Sequence, residues 1–174
     1  MSTVTTPNVN FMPLAREFEE LFRENSQLLY RTAYSLLDNS ADAEDVLQNI
    51  FLRLIRNGLP PGFSKNPKGY LYRAAVNAAL DTIRARKRHE STDGVPFEAL
   101  DVSPIEEQHH RLTEALAEMD PQAAEILVLK YVHSYKDADI AKVIGTSRGA
   151  IAMRLLRSRS KLKKLMQNLS GERK

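Results

Sequence analysis

Asp137-Ala-Asp-Ile-Ala-Lys-Val-Ile-Gly-Thr-Ser-Arg-Gly-Ala-Ile151 decides the fold. It has the form of a helix-turn-helix: a short helix, a glycine turn, then a capped second helix. Gly145 can take the left-handed backbone that ends a helix, and Ser147 can cap the next by accepting a backbone N–H. Ala141 is small where two helices must approach, and Ile140, Ile144, Ile151 and Leu155 supply a shared core. At about 100° per residue, Leu155, Ser158, Leu162 and Leu165 fall within about 40° of Ile151 and hold the second helix down. Arg148, Gly149, Ala152, Met153 and Arg157 are then free to meet base edges or the groove wall, since the start of the second helix enters the major groove. Arg154, Arg159 and Lys161 are better placed for phosphates. Arginine can read guanine through two hydrogen bonds, whereas Gly149 and Ala152 only permit close approach.

Outward from this motif, the chain of 174 residues has room for one ordinary domain or two small ones. Its 43% hydrophobic and 27% charged composition is that of a folded chain. There is no cysteine, which excludes a disulfide scaffold, a thiolate zinc site and a cysteine nucleophile. The first fifteen residues lack the basic and apolar regions of a signal peptide. No apolar run approaches the roughly 20 residues of a membrane span. A cytoplasmic protein without membrane insertion is expected.

Charge is segregated. Residues 65–89 carry seven basic side chains against Asp81 alone, and residues 126–169 carry ten against Asp137 and Asp139. Between them, residues 90–125 hold ten acids and only Arg111. Two basic blocks flanking an acidic spacer suit two contact patches on one polyanion.

Helical periodicity covers most of the chain. Phe18, Leu21, Phe22, Leu29, Ala33, Leu36 and Leu37 mark a helix over 14–37, and Asn39-Ser40 stops it and caps a second one with Ala43, Leu47, Ile50 and Leu54 inward. Gly58, Pro60, Pro61 and Gly62 break that helix. A third, over about 68–88, turns Leu71, Ala74, Ala75, Ala78 and Ile83 inward. Residues 90–104 read as an acidic linker. A fourth helix starts near Ile105. Asp120-Pro121 starts a fifth, with Ile126, Leu127, Leu129 and Tyr131 on its core side. The fold class is therefore all-α: two small helical domains, 14–89 and 105–169, the second a helix-turn-helix.

Read together, the modules resemble an extracytoplasmic-function sigma factor, the two-domain branch of the bacterial sigma-70 family. Three stretches carry the resemblance: Asp42-Ala-Glu-Asp-Val-Leu-Gln-Asn-Ile-Phe-Leu-Arg-Leu54, Tyr70-Leu-Tyr-Arg-Ala-Ala-Val-Asn-Ala-Ala-Leu-Asp-Thr-Ile-Arg84 and Ser147-Arg-Gly-Ala-Ile-Ala-Met-Arg-Leu-Leu-Arg-Ser-Arg159. They are similar to regions 2.2, 2.3–2.4 and 4.2. The resemblance implies core RNA polymerase, promoter DNA and an anti-sigma factor as partners, no catalytic residue and no cofactor. It places polymerase contacts on Asp45, Gln48, Asn49, Leu52 and Arg53. It places the minus-thirty-five element on Arg148, Gly149, Ala152, Met153, Arg154 and Arg157. For the minus-ten element it implies a base-capturing loop of Phe63, Ser64, Lys65 and Asn66, a stacking role for Tyr70, base contact by Asn77, and phosphate contacts by Arg73, Arg84, Lys87 and Arg88. Tyr70 stands where tryptophan is frequent in the family, Ala152 where lysine is, and Met153 where serine is, so the promoter sequence is this chain's own.

Two other classes compete. A helix-turn-helix regulator binding duplex DNA without polymerase explains 105–169 equally well, but not the second basic helix. An enzyme would need a site: Glu106, Glu107, His109 and His110 lack the His-Glu-x-x-His spacing, and no phosphate-cradling glycine loop is present. No metal ligand set is expected.

Overall fold

The computed structural model describes residues 11–93 and 103–171, and within them every regular element is helical. Helices α1 (Phe11–Leu37), α2 (Ser40–Asn57) and α3 (Pro67–Asp93) pack on one another, and a single 3₁₀ turn, Phe63–Lys65, lies in the loop before α3. Helices α4 (Pro104–Glu118), α5 (Pro121–Tyr131) and α6 (Asp137–Ile144) pack against the long α7 (Arg148–Gly171) or each other. Helix α3 also touches α4, α5 and α6, so the two groups of helices join through it.

The starts of the helices follow from side chains that satisfy the donors a helix leaves unpaired. Asn39 Oδ1 accepts the Asp42 N–H at 3.0 Å. Ser103 and Glu106 form a reciprocal capping box ahead of α4. Asp120 Oδ1 accepts from Gln122 and Ala123, with Pro121 in the first turn. At the helix-turn-helix, Gly145 has φ 78°, in the left-handed region expected of it, and Ser147 Oγ accepts the Ala150 N–H at 3.2 Å.

One continuous apolar core runs through both groups of helices. Leu71, Tyr72, Ala75, Val76, Ala79 and Leu80 are all fully buried. Helix α3 is therefore covered on two sides, not along the single stripe that its sequence marks. Three further expectations are corrected. Tyr131, expected in the core, is 58% exposed, and Val128 is buried instead. Phe22 is 43% exposed and packs edge-on against Phe51, ring centres 4.7 Å apart. Helix α3 continues to Asp93, beyond the point where composition ends it. The rest of the expected acidic linker, residues 94–102, lies outside the described residues.

Candidate nucleic-acid interface

Helix α7 is pinned by Ile151, Leu155 and Ser158, each buried. Arg148, Gly149, Ala152, Met153, Arg154 and Arg157 are all exposed. The face calculated from helical geometry is thus the open face, and it carries the helix's first cations. Asp137 lies close enough to Lys130, Arg148 and Arg159 that their charges, led by a 2.7 Å hydrogen bond from Lys130, hold its carboxyl below the usual range. Arg159 rests over the ring of Tyr131 at 5.5 Å.

The loop before α3 divides its candidate residues by burial. Phe63 is buried edge-on against Tyr70, ring centres 5.3 Å apart, and anchors the loop. Ser64 and Lys65 are exposed. Asn66 Oδ1 accepts the Gly69 N–H at 3.0 Å, capping α3, while its Nδ2 donates to the Val143 carbonyl of α6 at 2.6 Å.

On α3 the candidate cations meet the second group of helices. Arg73 Nε lies 3.3 Å from Glu125 Oε2, Arg84 Nε donates to the Ala117 carbonyl at 2.7 Å, and Lys87 Nζ lies 2.6 Å from Glu118 Oε1. Arg88 is exposed. Asn77 Oδ1 is buried without a hydrogen-bond partner, and Asp81 pairs with Arg84 at 2.6 Å. Glu125 is 1% exposed, and desolvation raises its pKa despite the opposing charges of Arg73 and Arg154. Tyr72 donates to the Glu125 backbone carbonyl at 3.2 Å, and burial pushes its own pKa well up, keeping the donor proton in place.

On α2, Asp45, Gln48, Asn49, Leu52 and Arg53 are all exposed. Leu52 is joined by Ile55, 51% exposed, and Leu59, 42% exposed, neither of them among the residues expected to meet polymerase. Ile55 stands three residues after Leu52 on the same helix face, and Leu59 follows just past the end of α2. The histidines serve structure: His109 Nε2 donates to the Ser35 carbonyl at 2.9 Å, and His110 lies 3.6 Å from Glu114. No group of three or more metal-ligating side chains occurs among the described residues. None of the described helices is long and apolar enough to cross a membrane.

Two family descriptions match, in chain order: Sigma-70 region 2 over residues 21–89 and Sigma-70, region 4 over residues 109–162. The ECF RNA polymerase sigma factor SigE of Mycolicibacterium smegmatis is 30% identical over 168 residues, covering 89% of this chain and 63% of that longer protein. The RNA polymerase sigma factor CarQ of Myxococcus xanthus is 32% identical over 164 residues, 89% of this chain and 92% of CarQ. Among solved structures, CnrH, determined in complex with the cytosolic domain of CnrY, shares the fold with a TM-score of 0.51 at 22% identity, covering 88% of this chain and 90% of CnrH. An exposed helix-turn-helix face, a second cationic helix, both sigma-70 regions in order and relatives matched along most of this chain converge on one conclusion: the chain belongs to the extracytoplasmic-function branch of the sigma-70 family of RNA polymerase sigma factors.

Proposed function

We propose that this sigma factor brings core RNA polymerase to promoters through three surfaces divided between two domains, 14–89 and 105–169. The exposed α2 face, centred on Leu52 and Ile55, docks on polymerase. The α7 face from Arg148 to Arg157 reads the upstream element as duplex. The loop Phe63–Asn66, with Tyr70, Arg73, Asn77, Arg84, Lys87 and Arg88 of α3, holds the downstream element. Buried Phe63 anchors that loop, leaving Ser64 and Lys65 outermost. Unpairing a base costs a few kcal/mol, which stacking and hydrogen bonds in such a loop offset.

The observation that carries this reading is the pair of separate open faces: six α7 candidates exposed above a buried Ile151–Leu155–Ser158 stripe, and an apolar-centred α2 face exposed in the other group of helices. A duplex-binding regulator leaves the α2 face without a role. The chain acts as a binding subunit, with no chemistry of its own, in the cytoplasm alongside polymerase, and an anti-sigma factor would act by covering these faces. Transcription in vitro from a randomised promoter library, with core polymerase and with or without this chain, tests the reading. Chain-dependent initiation at sites sharing two spaced elements supports it, and initiation unaffected by the chain overturns it.

A further inference from the structure

Two histidines of the second group of helices reach across to a single turn of α1. His109 of α4 donates to the Ser35 carbonyl, and His133, in the segment between α5 and α6, lies 2.9 Å from Thr32 Oγ1. Thr32 is fully buried and its own proton is committed to the Leu28 carbonyl, so His133 is the donor, through Nε2. Three elements surround the His133 ring. On α1 the Arg31 guanidinium acts on it, and on α3 the ring of Tyr72 lies edge-on at 5.9 Å. In its own segment the Tyr135 ring lies at 6.0 Å, with Lys68 Nζ 5.9 Å from the centre of that ring. Glu24 of α1 lines the groove that Leu28, Lys68 and Tyr135 also line, and the Glu125 backbone carbonyl takes the Tyr72 hydroxyl. A second proton on His133, at Nδ1, adds nothing at Thr32, where the bond already exists. It puts a charge in a partly desolvated site beside a cation, and both effects lower the pKa of the ring.

We propose that His133 is a proton-operated latch between the two groups of helices: neutral, it closes on Thr32, and protonated, it lets the groups part while each stays folded. The latch goes beyond promoter recognition, because it gives the chain a response to acid before any partner is bound. Its sign follows from linkage. With the groups apart the ring returns to water and takes up a proton near the ordinary value of 6.5, whereas in contact it resists. Separation is therefore favoured as pH falls below about 6.5, by up to about tenfold per pH unit until the lowered value is reached. Asn66, Arg73, Arg84 and Lys87, each held by a group on the second set of helices, would be released together. Glu125 works the other way: desolvation raises its pKa, so the joined chain holds a proton there more readily. With His133 removed, the response between pH 7.5 and 5.5 should thus be flat or of opposite sign.

The chain has no cysteine, so dyes can be placed cleanly at Arg56→Cys on α2 and Lys163→Cys on α7, both exposed. Energy transfer then reports separation and far-UV circular dichroism reports helicity, each followed through a urea series on the full chain. The assay contains neither DNA nor polymerase, so its outcome is independent of the promoter assignment. At pH 7.5 the two signals should be lost together. At pH 5.5 transfer should be lost first, its midpoint lower by about 0.5 to 1 M urea, the equivalent of a tenfold shift. His133→Gln keeps a neutral donor of similar reach and should remove that difference. Transfer indifferent to pH, a response that survives His133→Gln, or transfer and helicity lost together at pH 5.5 overturns the proposal. The His133 ring itself, titrated by NMR in the unsubstituted chain, keeps the test independent of that variant: protonation below pH 6.5 supports the latch, and protonation at or above 6.5 overturns it.

Discussion

The hydroxyl of Thr32 has one proton, and it is donated to the Leu28 carbonyl at 2.7 Å. The 2.9 Å contact between Thr32 Oγ1 and His133 Nε2 therefore has histidine as the donor, which fixes its neutral tautomer with the proton on Nε2. His133 sits between the rings of Tyr72 and Tyr135, and desolvation together with the Arg31 charge lowers its pKa below 6.5. A group that resists protonation in the folded chain but not in the unfolded one costs nothing above pH 6.5. Stability is lost as pH falls from there through the lowered value. Denaturant midpoints should thus drop as pH falls below about 6.5 in the parent chain, and the drop should be smaller in His133→Asn. On α7, replacing Arg148 and Arg157 by alanine should weaken duplex binding at the upstream element by about 1 to 3 kcal/mol per lost base contact. Polymerase affinity should be unchanged, and equal loss of both would contradict the division of surfaces.

Among the elements, α2 offers the cleanest test. Leu52 and Ile55 are about half exposed, so Leu52→Glu with Ile55→Glu should shift stability by no more than about 0.5 kcal/mol per site. The same pair should abolish co-purification with core polymerase. By contrast, Ile151→Ala empties a fully buried position beneath the recognition face and should cost about 2 to 5 kcal/mol, read from urea unfolding. These two elements also show what local pattern can and cannot reveal. The caps at Asn39, Asp120 and Ser147, the Gly145 turn and the inward stripe of α7 were legible because each rests on neighbours within four residues. The second buried side of α3 was not: Tyr72 is met by Glu125 and His133, more than 50 residues further along, and no spacing within α3 encodes that. For the same reason Glu125 looked like one more acid in an acidic run, and Tyr131, on the core side of α5 by spacing, lies outside the core.

At the scale of the molecule, both groups of helices share one apolar core and join through polar contacts at Asn66, Arg73, Arg84, Lys87, His109 and His133. Calorimetry on the intact chain should therefore give one cooperative transition, and two well-separated transitions would show that the shared core contributes little. Promoter-duplex affinity should fall steeply with salt because neutralised phosphates release counterions, and a flat response would contradict the basic faces. Helix α3 is packed against α1 and α2 and also against α4, α5 and α6, which bears on how such a protein can change over generations. A substitution at Tyr72, fully buried and donating to the Glu125 backbone carbonyl, loosens both groups of helices at once, whereas Ala152, Met153 and Arg157 are exposed on α7 and can vary without emptying the core, so sequence should diversify faster there.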